Sequence, residues 1–101
     1  MLDDDSLFWY LFTATKGGPN RLRIARLLFD RPGNAHQLAK KLQLDYKTIQ
    51  HHLEILLENG VVLASREKKY GELYFLSPFT KSKKKVLGEI WHKIKNTEND
   101  G

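Results

Sequence analysis

Apolar residues recur with a helical period in five stretches of the chain and change to a strand-like period in one. The boundaries fall at Gly17-Gly18-Pro19, Arg31-Pro32-Gly33, Asn59-Gly60 and Ser77-Pro78, none of them long enough to be an interdomain linker. The first stretch, about Asp3 to Lys16, opens with acids and Ser6, which suit a helix N-terminus with Ser6 as its cap. Leu7, Phe8, Leu11 and Phe12 then form a stripe that Trp9 and Tyr10 widen until it nearly encircles the helix, so a partner is expected to cover it. A second helix is predicted from about Asn20 to Phe29. Its apolar side is Leu22, Ala25, Leu28 and Phe29, and its polar side is Arg23, Arg26 and Asp30.

Asn34-x-x-Gln37 has the form of a capping box and predicts a short third helix with Ala35, Leu38, Ala39 and Leu42 on one face. Asp45 is placed to cap a fourth helix that ends at Asn59-Gly60, a left-handed terminus. Ile49, Leu53, Leu56 and Leu57 form its buried stripe. The opposite stripe begins with Lys47, Gln50 and His51, which are donors without an acid among them, and continues to Glu54 and Glu58. Past Gly60 the pattern reads as a β-hairpin: a strand over 61–66, a turn over 67–72 and a strand over 73–76. A last helix, about Thr80 to Asn96, carries Val86, Leu87, Ile90, Trp91 and Ile94 on a broad apolar face that also needs cover.

The reading is a mainly α, α+β domain, and the order helix, helix, turn, helix, hairpin is that of a winged helix-turn-helix. The second helix of such a motif enters the DNA major groove, because its diameter matches a groove about 12 Å wide. Composition narrows the picture. With 101 residues the chain is read as one domain, which excludes a multidomain enzyme. No Ser/His/Asp arrangement, phosphate loop or supported carboxylate pair appears, so no enzyme is expected. Cysteine is absent, which removes disulfides and thiolate metal sites. No apolar run is long enough to span a bilayer, and the expectation is a cytoplasmic protein without a membrane partner. All 17 bases but only seven of the 12 acids lie between Lys16 and Lys95, so that middle carries +10 against +5 for the whole chain. Such a surface suits a polyanion.

The run from Asn34 to Val62, and above all Asp45-Tyr-Lys-Thr-Ile-Gln-His-His-Leu53, resembles the ArsR-like winged helix-turn-helix transcription regulators, most of all their archaeal branch. The resemblance covers about 19–77 and implies a DNA-binding core there, a recognition helix over 45–59 and a wing over 66–72. It also implies that the helices of 1–16 and 80–96 build a homodimer. The function expected is a sequence-specific, double-stranded DNA-binding transcription regulator; the competing reading is a winged-helix adaptor for protein assembly. Lys47, Gln50 and His51 are the candidates for base edges. Tyr46 and Thr48, Lys40 and Lys41, and Arg66, Lys68 and Lys69 of the wing are the candidates for backbone phosphate. His52 is read first as packing or phosphate-facing and second as a base contact. Lys83, Lys84 and Lys85 are read equally as a solvated helix start or an auxiliary DNA patch, and Asp3 to Asp5 as a frayed start. The dimer interface is assigned to Leu7, Phe8, Trp9, Leu11, Phe12, Leu87, Ile90, Trp91 and Ile94. Many relatives sense metals through Cys pairs or through acid and His pairs on the last helix. Here only Glu89 and His92 stand at i, i+3, and a lone pair of that kind defines no site. No metal or cofactor is expected, and the effector is left open.

Overall fold

In the computed structural model, which describes residues 3–67 and 71–100 (side chains other than those of 67 and 97–100), the acidic start is ordered as helix α1 (Asp4–Trp9). Its cap is Asp3 rather than Ser6: Asp3, three residues upstream, takes the extended geometry of an N-cap, and its Oδ1 accepts from the Ser6 amide at 2.7 Å. Nor is the start frayed, since Asp5 pairs with Lys83 at 3.0 Å. From Tyr10 to Ala14 the helix widens into a π turn, which buries Leu11 and Phe12.

Helix α2 (Gly18–Asp30) begins two residues before the predicted start at Asn20, because Pro19 is well suited to a first turn. Gly18 lies against the backbone of the π turn: a Cβ there would stand 2.5 Å from the Phe12 carbonyl carbon, so only glycine fits. Helix α3 (Ala35–Leu42) opens with the full capping box, Asn34 accepting from the Gln37 amide and Gln37 from the Asn34 amide. It closes at Gln43, whose left-handed backbone (φ 57°) turns the chain sharply into α4 (Tyr46–Glu58). Asp45 caps α4 by accepting from the Thr48 amide at 2.8 Å. The left-handed residue after α4 is Gly60 (φ 70°), with Asn59 remaining at negative φ.

The hairpin pairs β1 (Val62–Glu67) with β2 (Gly71–Leu76) in antiparallel register from Val62 opposite Leu76 to Glu67 opposite Gly71. Gly33 adds a third edge, exchanging two backbone hydrogen bonds with Tyr74, and so ties the loop after α2 to the wing's root. The last predicted helix is two. Ser77 caps a single turn, α5 (Pro78–Lys81), and the chain restarts as α6 (Lys84–Asp100). The break has a polar cause: Thr80 donates to the Val61 carbonyl and Ser77 to the Gly60 carbonyl, which pins α5 to the hairpin root.

One core joins α2, α3, α4 and the hairpin through side chains such as Leu22, Leu28, Leu38, Ile49, Leu56 and Val62. The terminal helices close over its other side. Phe8 stacks obliquely on Phe12 and on Phe79 of α5, and α1 packs on α6. Phe8, Leu11, Phe12, Leu87 and Ile90 are therefore buried within the single chain, and the cover expected from a partner comes for these five from the chain's own ends. Leu7, Trp9, Trp91 and Ile94 stay half-buried, with Arg26 stacked 3.8 Å over the Trp91 ring. Among the described residues no helix is long and apolar enough to cross a membrane.

Candidate nucleic-acid interface

The outer face of α4 begins with an aromatic pair. Tyr46 is 41% exposed and its ring stacks on His36, from the first turn of α3, at 4.3 Å between centroids. Its hydroxyl accepts from Gln50 Nε2 at 2.7 Å, so Gln50 is held half-buried along the helix while Lys47 and His51 stand free of cover. Thr48 is half-buried, and its backbone amide is occupied by the Asp45 cap. Lys47, Gln50 and His51 thus share one side of α4 with Tyr46, and the next acid on the helix is Glu54, a turn beyond Gln50.

The other candidates are more dispersed. Lys40 and Lys41 are exposed in the last turn of α3, but Lys41 lines a shallow cleft with Arg31, Pro32 and Gln37 on the flank toward the end of α2. Arg66 is exposed on β1 directly across the ladder from Glu72. Glu72 accepts from the Tyr74 hydroxyl at 2.6 Å, and burial together with that carboxylate drives the Tyr74 phenol well above its ordinary value. Lys68 and Lys69 lie outside the described residues. Lys83 is drawn to Asp5, whose hydrogen bond raises the ammonium above its usual value, so it belongs to the fold as much as to any surface patch.

Behind the exposed face, His52 is buried against Arg21, which is itself only 4% exposed. Arg21 Nη1 stands 3.3 Å from His52 Nδ1, which serves as the acceptor and leaves the proton on Nε2. Burial pushes the His52 imidazole below its ordinary value, and the neighbouring Arg21 and then His51 push in the same direction. His52 is therefore a neutral packing residue here. Arg21 has no place in the sequence reading, yet a signal exists: it lies at i, i+3, i+4 and i+7 with Ile24, Ala25 and Leu28, a base on the buried stripe. His36 carries no comparable signal, because its partner comes from another helix. Among the described residues no cluster of His, Asp or Glu is arranged to hold a metal; His92 is engaged by Asn96 at 3.0 Å instead of by Glu89.

A helix pair with a tight turn, backed by α2 and followed by a two-stranded hairpin, defines the winged helix-turn-helix class of fold. Within it, residues 18–64 match the model of the arsR family of bacterial regulatory proteins. No curated protein matches the chain at a significant level. Among solved structures, a MarR transcriptional regulator from Methanosarcina mazei is similar at 17% identity over 96% of this chain and 76% of that one, with a TM-score of 0.71. Rv0081 of M. tuberculosis is similar at 21% identity over 96% and 98%, with a TM-score of 0.68. ZitR of Lactococcus lactis is similar at 20% identity over 79% of this chain, with a TM-score of 0.63, and the chain spans only 56% of its length. At these identities the shared property is the fold. The matched family and the Methanosarcina neighbour are transcription regulators rather than enzymes.

Proposed function

We propose that the protein is a homodimeric, sequence-specific regulator of transcription that binds double-stranded DNA in the cytoplasm, akin to the archaeal branch of ArsR-like regulators. The observation that carries the reading is the first half of α4: Lys47, Gln50 and His51 share an outer face free of carboxylates, inside the segment that matches the arsR-family model. In this reading α4 lies in the major groove. Lys47 faces guanine O6 and N7, Gln50 and His51 face purine edges, and the Tyr46–Gln50 hydrogen bond fixes the amide before DNA arrives.

Tyr46, Thr48 and Lys40 are assigned to backbone phosphate, with Lys41 farther to the side. Arg66, Lys68 and Lys69 are assigned to the flanking backbone or minor groove from the wing. Residues 19–77 act as the DNA-binding core, and 1–16 and 80–96 as the dimerisation helices. Of the residues assigned to that interface, Leu7, Trp9, Trp91 and Ile94 still offer apolar surface to a second copy.

The test is affinity for random duplex against salt. A dimer making roughly 6 to 10 phosphate contacts loses about 10³- to 10⁵-fold between 50 and 200 mM salt. A flat response would favour the adaptor reading.

A further inference from the structure

We propose that the cleft between the π turn, the start of α2 and the second half of α4 binds a small organic anion, a carboxylate carried on an apolar body. The cleft has a volume of about 770 Å³, within the range of small-molecule sites. Its polar wall includes Arg21, Lys16, His51 and His52, and its apolar wall includes Leu11 and Ile55. None of the described residues that line it is a carboxylate.

Arg21 is the centre of the site. A guanidinium that is 4% exposed ordinarily has a counter-charge, because desolvating an unpaired charge is expensive. Here its partners are all neutral: Nε donates to the Leu11 carbonyl at 3.1 Å, Nη1 meets His52 Nδ1 at 3.3 Å, and Nη2 donates to the Thr15 hydroxyl. Those bonds use three of the five N–H donors of an arginine, and the two that remain match the two oxygens of a carboxylate.

Gly17 borders the cleft, and a Cβ on it would come within 2.7 Å of His52 Cε1 and 2.8 Å of Arg21 Nη1, so a side chain there would crowd the site. The π turn delivers the Leu11 carbonyl that orients the guanidinium. A phosphate ion alone would leave the Leu11 and Ile55 wall unused, whereas an apolar body fills it. An occupied cleft presses directly on His51 and His52 of α4. That consequence for DNA rests on the function proposed above, while anion binding itself does not.

The experiment is calorimetric titration of the full chain, without DNA, by sodium benzoate, with benzyl alcohol as the neutral analogue and inorganic phosphate as the anion without an apolar body. Benzoate is expected to bind and the other two to bind at least about tenfold more weakly, the value of a charge-assisted hydrogen bond. Arg21→Gln should abolish benzoate binding. Lys16→Ala, at an exposed residue whose loss leaves the fold intact, should weaken it several-fold. Absence of benzoate binding, equal binding of benzyl alcohol, or indifference to both substitutions would overturn the proposal. Preference for phosphate would also overturn it, and would assign the cleft to a DNA backbone phosphate if the same substitutions lowered the salt dependence of duplex binding.

Discussion

Gly18→Ala places one methyl group where the structure has no room for it. The new Cβ would lie 2.5 Å from the Phe12 carbonyl carbon, 2.6 Å from its oxygen and 2.9 Å from the Thr13 nitrogen, where ordinary contact begins at 3.4 Å. All three are backbone atoms, so no rotamer change relieves the overlap: α2 and the π turn must separate by about 1 Å, and Phe12, now fully buried, must follow. Overpacking of a core costs about 1 to 3 kcal/mol. With rigid backbone on the other side we expect the upper end, about 3 kcal/mol, a large part of the 5 to 15 kcal/mol typical of a domain. Gly88→Ala is the matched control. It sits inside α6 with nothing within 4 Å of its Cβ position, and alanine there should stabilise by about 0.5 to 1 kcal/mol. Urea unfolding reads both: at an m-value of about 1 to 3 kcal/mol/M, the Gly18→Ala midpoint should fall by about 1 to 3 M while Gly88→Ala rises slightly. A Gly18→Ala protein within about 0.5 kcal/mol of the parent, the range of an ordinary surface substitution, would refute the close backbone approach.

Replacing Gln50 or His51 by Ala should cost about 1 to 3 kcal/mol at the cognate DNA site and little on random duplex, measured by fluorescence anisotropy; equal losses on both would make these residues phosphate contacts. The Asp45 and Asp3 carboxyls, each held below its ordinary value chiefly by a backbone N–H hydrogen bond, from Thr48 and Ser6, bind fewer protons folded than unfolded. Their stabilisation is complete above the ordinary value of 3.8 and is lost as pH falls through the lowered one. Asp45→Asn, which keeps the cap but not the charge, should therefore flatten the acid limb of the unfolding midpoint, and an unchanged limb would contradict that assignment. Sedimentation at micromolar concentration should show a dimer, with Trp91→Ala shifting it toward monomer; a monomeric parent protein would remove the assembly model.

Sequence pattern carried most signals that lay within one element, although Asp3 rather than Ser6 caps α1 and the base at Arg21 on the buried stripe of α2 went unread. The capping box at Asn34 and Gln37, the Asp45 cap, the buried stripe of α4 and the hairpin all follow from local spacing. It was insufficient where two elements meet. The apolar girdle of α1 requires cover, but nothing in its spacing says whether that cover is a second copy or, as for Phe8 and Phe12, the chain's own Phe79 and α6. Gly17-Gly18 reads as loop punctuation, whereas Gly18 is the first residue of α2 and is required by the close approach of another backbone. Ser77-Pro78 is a legible cap and first-turn proline, yet the lysine run after it conceals the break between α5 and α6. Of the site, Lys47 and His51 were legible as exposed donors. The Tyr46–His36 stack and the Arg21–His52 contact were not, because each joins residues from separate helices.

Selection of bound sequences from a random duplex pool tests most directly whether α4 reads bases in the major groove of DNA on behalf of a twofold dimer. Two inverted half-sites about one helical turn apart, near 34 Å, should be enriched. A pool that emerges with no enriched sequence, or with a single unpaired half-site, would contradict this mode of binding.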